Sequence, residues 1–345
     1  MRRVPGLARV LVALLVTGVA GPGAAQTTRA LTPAAFLALV DRYRHGDLTS
    51  LSEAGEFTPR HVARAVAAAG AADQATARAA LVFTIDLTRI VPLPEVAGLI
   101  DASRALAEAV TRNSQRAFIR EVVLCQLASL AHADEFDRAQ SLIDAASHTW
   151  REDPELLLAR GSLYETAFER GSRAPLGNRH GVTEYESIAL ERLAQMAVAH
   201  FERVLTSPVP QPEARLRLGK LLTLRQKYDD AKPMLERART DSTQPYLRYL
   251  ASLFLGQLHE RLAQYPEAER AYRAAYGEYP AQAVTLSLVR LLILRGAHTD
   301  SDALLLTMFE TRRSSTAPVD PWRLYEFGQF WQLGQRLDHL RPLIR

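Results

Sequence analysis

Two stretches of this chain repeat one another at fixed internal spacing, and nothing else in the sequence constrains the fold so strongly. Residues 213–238 read EARLRLGKLLTLRQKYDDAKPMLERA, and residues 250–280 read LASLFLGQLHERLAQYPEAERAYRAAYGEYP. Leu218-Gly219 aligns with Leu255-Gly256. Nine residues past each glycine stands an aromatic, Tyr228 or Tyr265, and three further on an alanine, Ala231 or Ala268. A large apolar residue follows, Leu235 or Tyr272, then Ala238 or Ala275, and the second copy ends at Pro280. Apolar residues recur at three- and four-residue spacing, which is the period of an amphipathic helix. Each copy therefore predicts two helices, with small residues where one crosses the other.

These residues resemble the tetratricopeptide repeat, a helix-turn-helix unit of about 34 residues. The resemblance implies an all-α fold, a right-handed solenoid of stacked helical hairpins. Gly219 and Gly256 would admit the second helix closely, with Ala231 and Ala268 as the matching small surface. Tyr228 and Tyr265 would fill the turn, and Pro280 would open the next unit. The family binds peptides along the concave row made by the first helix of each unit. Carried onto this chain, that row is Ser162 and Glu165, Lys220 and Thr223, Gln257, Glu260 and Arg261, then Arg290. A mixed-charge row of this kind suits an extended peptide, whose carboxylates and carbonyls arginine and lysine can hold.

Weaker copies flank the clear pair. Phe136, Ala139, Ile143 and Ala146 keep the spacing of a second helix, with Pro154 after them. Gly161 and Tyr164 mark a first helix whose partner carries Ala197, Phe201 and Val204. Leu288, Gly296 and Ala303 mark a degenerate unit. The repeats thus span 120–312. Residues 26–119 read as a divergent helical region, and 313–345 as C-terminal capping helices with Trp322, Tyr325, Phe327, Phe330 and Trp331 as apolar content. An inserted loop near 169–184 offers Arg170, Arg173, Arg179 and His180 as further contacts; loops of that length in compact arrays are functional or disordered.

The first residues predict export. Arg2, Arg3 and Arg9 precede an apolar run, Val10 to Ala20, and small residues end it at Ala25. That is the pattern of a cleaved signal peptide over 1–25, with the protein periplasmic or secreted; the run is too short for a membrane span. The leader also explains the charge. The whole chain has 42 basic and 38 acidic side chains, but three of the arginines fall before residue 26. A near-neutral remainder argues against nucleic acid as a partner. Cys125 is the only cysteine, so no disulfide can form within the chain, and its apolar surroundings predict a core position.

No catalytic constellation stands out. Glycine-rich phosphate loops and nucleophile elbows are missing from the sequence. His259-Glu260 begins like a zinc-protease motif, but Ala263 stands where the second histidine belongs. Asp229-Asp230 and Asp300/Asp302 fall at predicted helix starts, where acids complement the helix dipole. The sequence therefore predicts a non-catalytic adaptor with a protein or peptide partner and with neither cofactor nor metal. Two alternatives stay open: a hydrolase or lyase on a helical toroid with acids in a central cavity, and a structural spacer without a site.

Overall fold

The computed structural model describes residues 31–69, 72–91, 93–111, 114–173, 190–313, 320–326 and 333–345. The leader over 1–25, Arg179, His180, Phe327, Phe330 and Trp331 lie outside the described residues, as does the Arg173 side chain. Among the described residues the fold is all-helical, without a strand.

The N-terminal region contains α1 (Pro33–Arg44), α2 (Thr49–Gly55), α3 (Pro59–Ala68), α4 (Gln74–Leu87), α5 (Leu93–Ala102) and α6 (Arg104–Thr111). Local chemistry sets their starts. Thr32 and Asp73 accept backbone N–H groups of the first turns of α1 and α4, and prolines open α1 and α3. Paired helices follow: α7 (Arg116–His132) with α8 (Phe136–Ser147), and α9 (Pro154–Arg173) with α10 (Leu190–Leu205). Next come α11 (Pro212–Leu224) with α12 (Tyr228–Asp241), α13 (Pro245–Arg261) with α14 (Tyr265–Glu278), and α15 (Gln282–Leu294) with α16 (His298–Arg313). From α7 to α16 successive helices pack on one another, and α11 also touches α13.

Close approach within three hairpins depends on glycine. A Cβ on Gly219 would lie 2.7 Å from Leu235 Cγ and 3.2 Å from the Ala231 carbonyl oxygen. On Gly256 it would lie 2.8 Å from Tyr272 Cζ and nearer still to two other ring carbons. On Gly161 it would meet Phe201 in the same way. Ala231, Ala268 and Ala197 are all fully buried. Tyr228 is half-buried and Tyr265 40% exposed, so these tyrosines cover the turns without filling them. Pro280 precedes α15 in the linker after α14.

Four hairpins share one turn. Asp134, Gln226, Ala263 and Gly296 each stand two residues past one helix and two before the next, with φ of 65°, 61°, 55° and 75°. In each, the following N–H donates five residues back: Glu135 to Leu130, Lys227 to Leu222, Gln264 to His259 and Ala297 to Leu292, at 2.8–3.0 Å. This left-handed cap satisfies carbonyls that the helix end leaves unpaired. Only one of the four residues is glycine, so the turn carries no sequence mark.

The C-terminal segment contains α17 (Pro321–Glu326), α18 (Leu333–Leu340) and a 3₁₀ turn (Arg341–Ile344). The principal neighbours of α18 are α7 and α4, near the start of the chain, rather than the last hairpin. Leu333, Leu337, Leu340 and Ile344 join the core built by residues 31–125. Ion pairs surround that contact: Arg336 with Glu121 and Glu155, and Arg341 with the buried Asp86. A second core runs from Val123 to Leu291 and takes in Tyr325. Of the acids read as helix-start residues, Asp229 and Asp230 sit in the first turn of α12 and Asp300 in that of α16, whereas Asp302, the fifth residue of α16, lies beyond its first turn.

Candidate functional site

The first helices of successive hairpins converge on a cavity of ≈ 650 Å³. α9 contributes Phe168 and Glu169, α11 contributes Lys220 and Leu224, and α13 contributes Gln257, Glu260 and Arg261. Arg290 of α15 and Trp322 of α17 complete the wall. Five of the eight groove residues expected from the repeat pattern, Lys220, Gln257, Glu260, Arg261 and Arg290, therefore face one space.

The other three do not. Ser162 is buried and its hydroxyl donates to the Leu158 carbonyl at 2.9 Å. Thr223 is likewise buried and donates to the Gly219 carbonyl at 2.8 Å. Short hydroxyl side chains on a tightly packed helix bond back onto their own backbone. Glu165, 1% exposed, is taken up by an internal ion pair. The loop expectation also changes: residues 169–173 form the last turn of α9, and Arg170 pairs with Asp134 and stands over the Phe136 ring. It belongs to the packing of α8 and α9.

Under the cavity floor lies a buried charge cluster. The Arg217 guanidinium donates to Glu165 Oε2 at 2.9 Å and to Glu213 Oε1 at 3.0 Å. Burial alone lowers Arg217, but Glu165 and Glu213 outweigh it and hold the group above the usual arginine range. Burial pushes the Glu165 carboxyl upward against the pull of Arg217 and Lys220. The Tyr325 hydroxyl donates to the other Glu165 oxygen, so all three groups are matched. A buried charge is tolerated only when paired and hydrogen-bonded in this way.

Lys220 links the cluster to the cavity. Its ammonium pairs with Glu169 and stands 4.1 Å from the centre of the Tyr325 ring, 5.1 Å from Trp322 and 5.4 Å from Phe254. Cation–π attraction of this kind holds the ammonium in place. Across the cavity, Glu260 accepts from Tyr272 Oη at 2.7 Å and from Arg290 at 2.6 Å. Burial, then the neighbouring Glu260 carboxylate, pushes the Tyr272 phenol upward, so it stays a donor. Arg261 and Gln257 make no side-chain hydrogen bond or ion pair among the described residues. They are the donors the cavity leaves open to a ligand.

Sequence reasoning missed Phe168, Glu169, Leu224 and Trp322. Phe168 and Glu169 stand three and four residues beyond Glu165, and Leu224 four beyond Lys220, so the helical period marks them. Trp322 comes from the returning C-terminal segment and carries no periodic signal. The described residues contain no cluster of histidine, cysteine and acids able to hold a metal, and none of their helices is long and apolar enough to cross a membrane. Cys125 is buried, and burial raises its thiol to about 12. No protein-family model matches this chain, and no curated protein matches it either.

Proposed function

We propose that this chain is an exported, non-catalytic adaptor, a tetratricopeptide-like right-handed solenoid that binds a protein or peptide segment in the groove along α9, α11, α13 and α15. The observation that carries the reading is the row of five expected groove residues around one open cavity, with Arg261 and Gln257 making no side-chain hydrogen bond or ion pair among the described residues. The shared turn of four hairpins and the glycine contacts of three support the repeat reading. The ligand chemistry follows from the wall. Lys220, Arg261 and Arg290 exceed Glu169 and Glu260 by one charge, so a segment bearing a carboxylate beside an apolar residue fits best. The carboxylate would meet Arg261, and the apolar residue would meet Phe168 and Leu224.

The test uses the full chain in its native cell, with a photo-crosslinking residue in place of Gln257. The adduct formed should fall at least tenfold when Arg261→Glu is added. An adduct pattern indifferent to Arg261, or no adduct at all, overturns the adaptor reading. A hydrolase or lyase reading draws on the meeting of Glu169, Glu260 and Trp322 in one cavity. It ranks second because Lys220 engages Glu169, and Arg290 and Tyr272 engage Glu260, which opposes a general acid–base pair.

A further inference from the structure

One wall of the cavity is the chain's own C-terminal segment, and it is seated as a ligand is seated. α17 is six residues long, too short to be helical on its own account. Asp320, just before it, accepts from Tyr249 Oη at 3.1 Å, from the Ala283 N–H at 2.8 Å and from the Trp322 N–H at 2.8 Å. Trp322 and Tyr325, three apart on one turn, stack at 5.8 Å with their planes 7° apart. Both meet the Phe254 ring edge-on, at 5.6 and 5.2 Å. Tyr325 is the buried anchor, donating to Glu165 beneath the cations of Arg217 and Lys220. Among the described residues after Leu291, Tyr325 alone is a buried member of the second core. An aromatic anchor in a desolvated pocket, with arginine beside it, is how interfaces concentrate binding energy.

We propose that residues 320–326 are the resident occupant of a segment-binding face. The partner element recognised there has the same chemistry: an acidic residue followed by two aromatic residues three apart on one helical turn. That element enters by displacing the resident one. The proposal rests on the groove reading and deepens it by naming the ligand. Competition from a tethered occupant is strong, because a short tether gives an effective concentration on the order of millimolar. The groove therefore discriminates against weak segments and opens to one that also reaches Arg261.

The experiment uses full-length protein and a fluorescein-labelled peptide of residues 319–326, read by fluorescence anisotropy. The double variant Trp322→Ala/Tyr325→Ala should bind the peptide at least tenfold more tightly than the unsubstituted protein. A peptide carrying the same two alanines should bind neither. If the double variant, folded by circular dichroism, binds no better than the unsubstituted chain, the proposal is overturned. Should that variant not fold, Asp320→Ala keeps both rings and cuts only the bonds to Tyr249, Ala283 and Trp322. It should raise hydrogen exchange at residues 322–326 and strengthen peptide binding at least threefold, and failure of either change overturns the proposal. An Arg261-dependent adduct with no peptide binding leaves the adaptor reading standing and this inference fallen. Peptide binding without such an adduct does the reverse.

Discussion

Gly256→Ala should destabilise the protein by about 2–4 kcal/mol, although the same change usually stabilises a helix. Alanine exceeds glycine by roughly 1 kcal/mol in a helix interior, so the intrinsic term favours the variant. The added methyl, however, would lie 2.8 Å from Tyr272 Cζ and closer to two more ring carbons. The ring has no exposed surface, and its hydroxyl is tied to Glu260 at 2.7 Å. Overpacking of a close-packed site costs about 1–3 kcal/mol. Pulling the hydroxyl off a charged acceptor adds about 1.5–3 kcal/mol. The internal control is Gly277→Ala at an exposed position of α14, where a Cβ would meet nothing within 4 Å. There the intrinsic term acts alone, and a gain of about 0.5–1 kcal/mol follows. Urea unfolding followed by far-ultraviolet circular dichroism separates the two, with midpoints moving in opposite directions. Adding Tyr272→Leu to Gly256→Ala should recover part of the loss, because the clash partner shrinks. A Gly256→Ala midpoint equal to or above that of the unsubstituted chain would refute the packing argument, and with it the reason for glycine at this spacing.

Two further outcomes follow from the same geometry. Ala263→Gly should stabilise by roughly 0.5–1 kcal/mol, because Ala263 holds φ at 55° where glycine carries no Cβ penalty; a lower urea midpoint would count against the shared-turn account. Arg217→Met should cost about 3–5 kcal/mol, because it leaves Glu165 and Glu213 without their buried cation. The triple change Arg217→Met/Glu165→Leu/Glu213→Leu should return most of that stability, and a single change costing under about 1 kcal/mol would show that the pair is not confined as described.

Helices and their close crossings were legible in the sequence because both are written locally. An amphipathic period needs only neighbours three and four apart. A glycine facing an alanine-bearing helix needs only one hairpin, so Gly161, Gly219 and Gly256 were all placed by spacing. The face that α11, α13 and α15 turn to the cavity was named by the groove positions that the repeat resemblance implies, which include Lys220, Gln257, Glu260, Arg261 and Arg290. Tertiary contact alone decided the depth of each position. Glu165 shares the groove period, yet Arg217 and Tyr325, the latter 160 residues away, remove it from solvent. The turn at Asp134, Gln226, Ala263 and Gly296 was hidden because three of its residues tolerate a positive φ without advertising it. The return of the C-terminal segment had no local trace at all. Its leucines show that one face of α18 is apolar, but only three-dimensional packing tells that the face closes on the first core, because complementarity between distant surfaces leaves no period in either one.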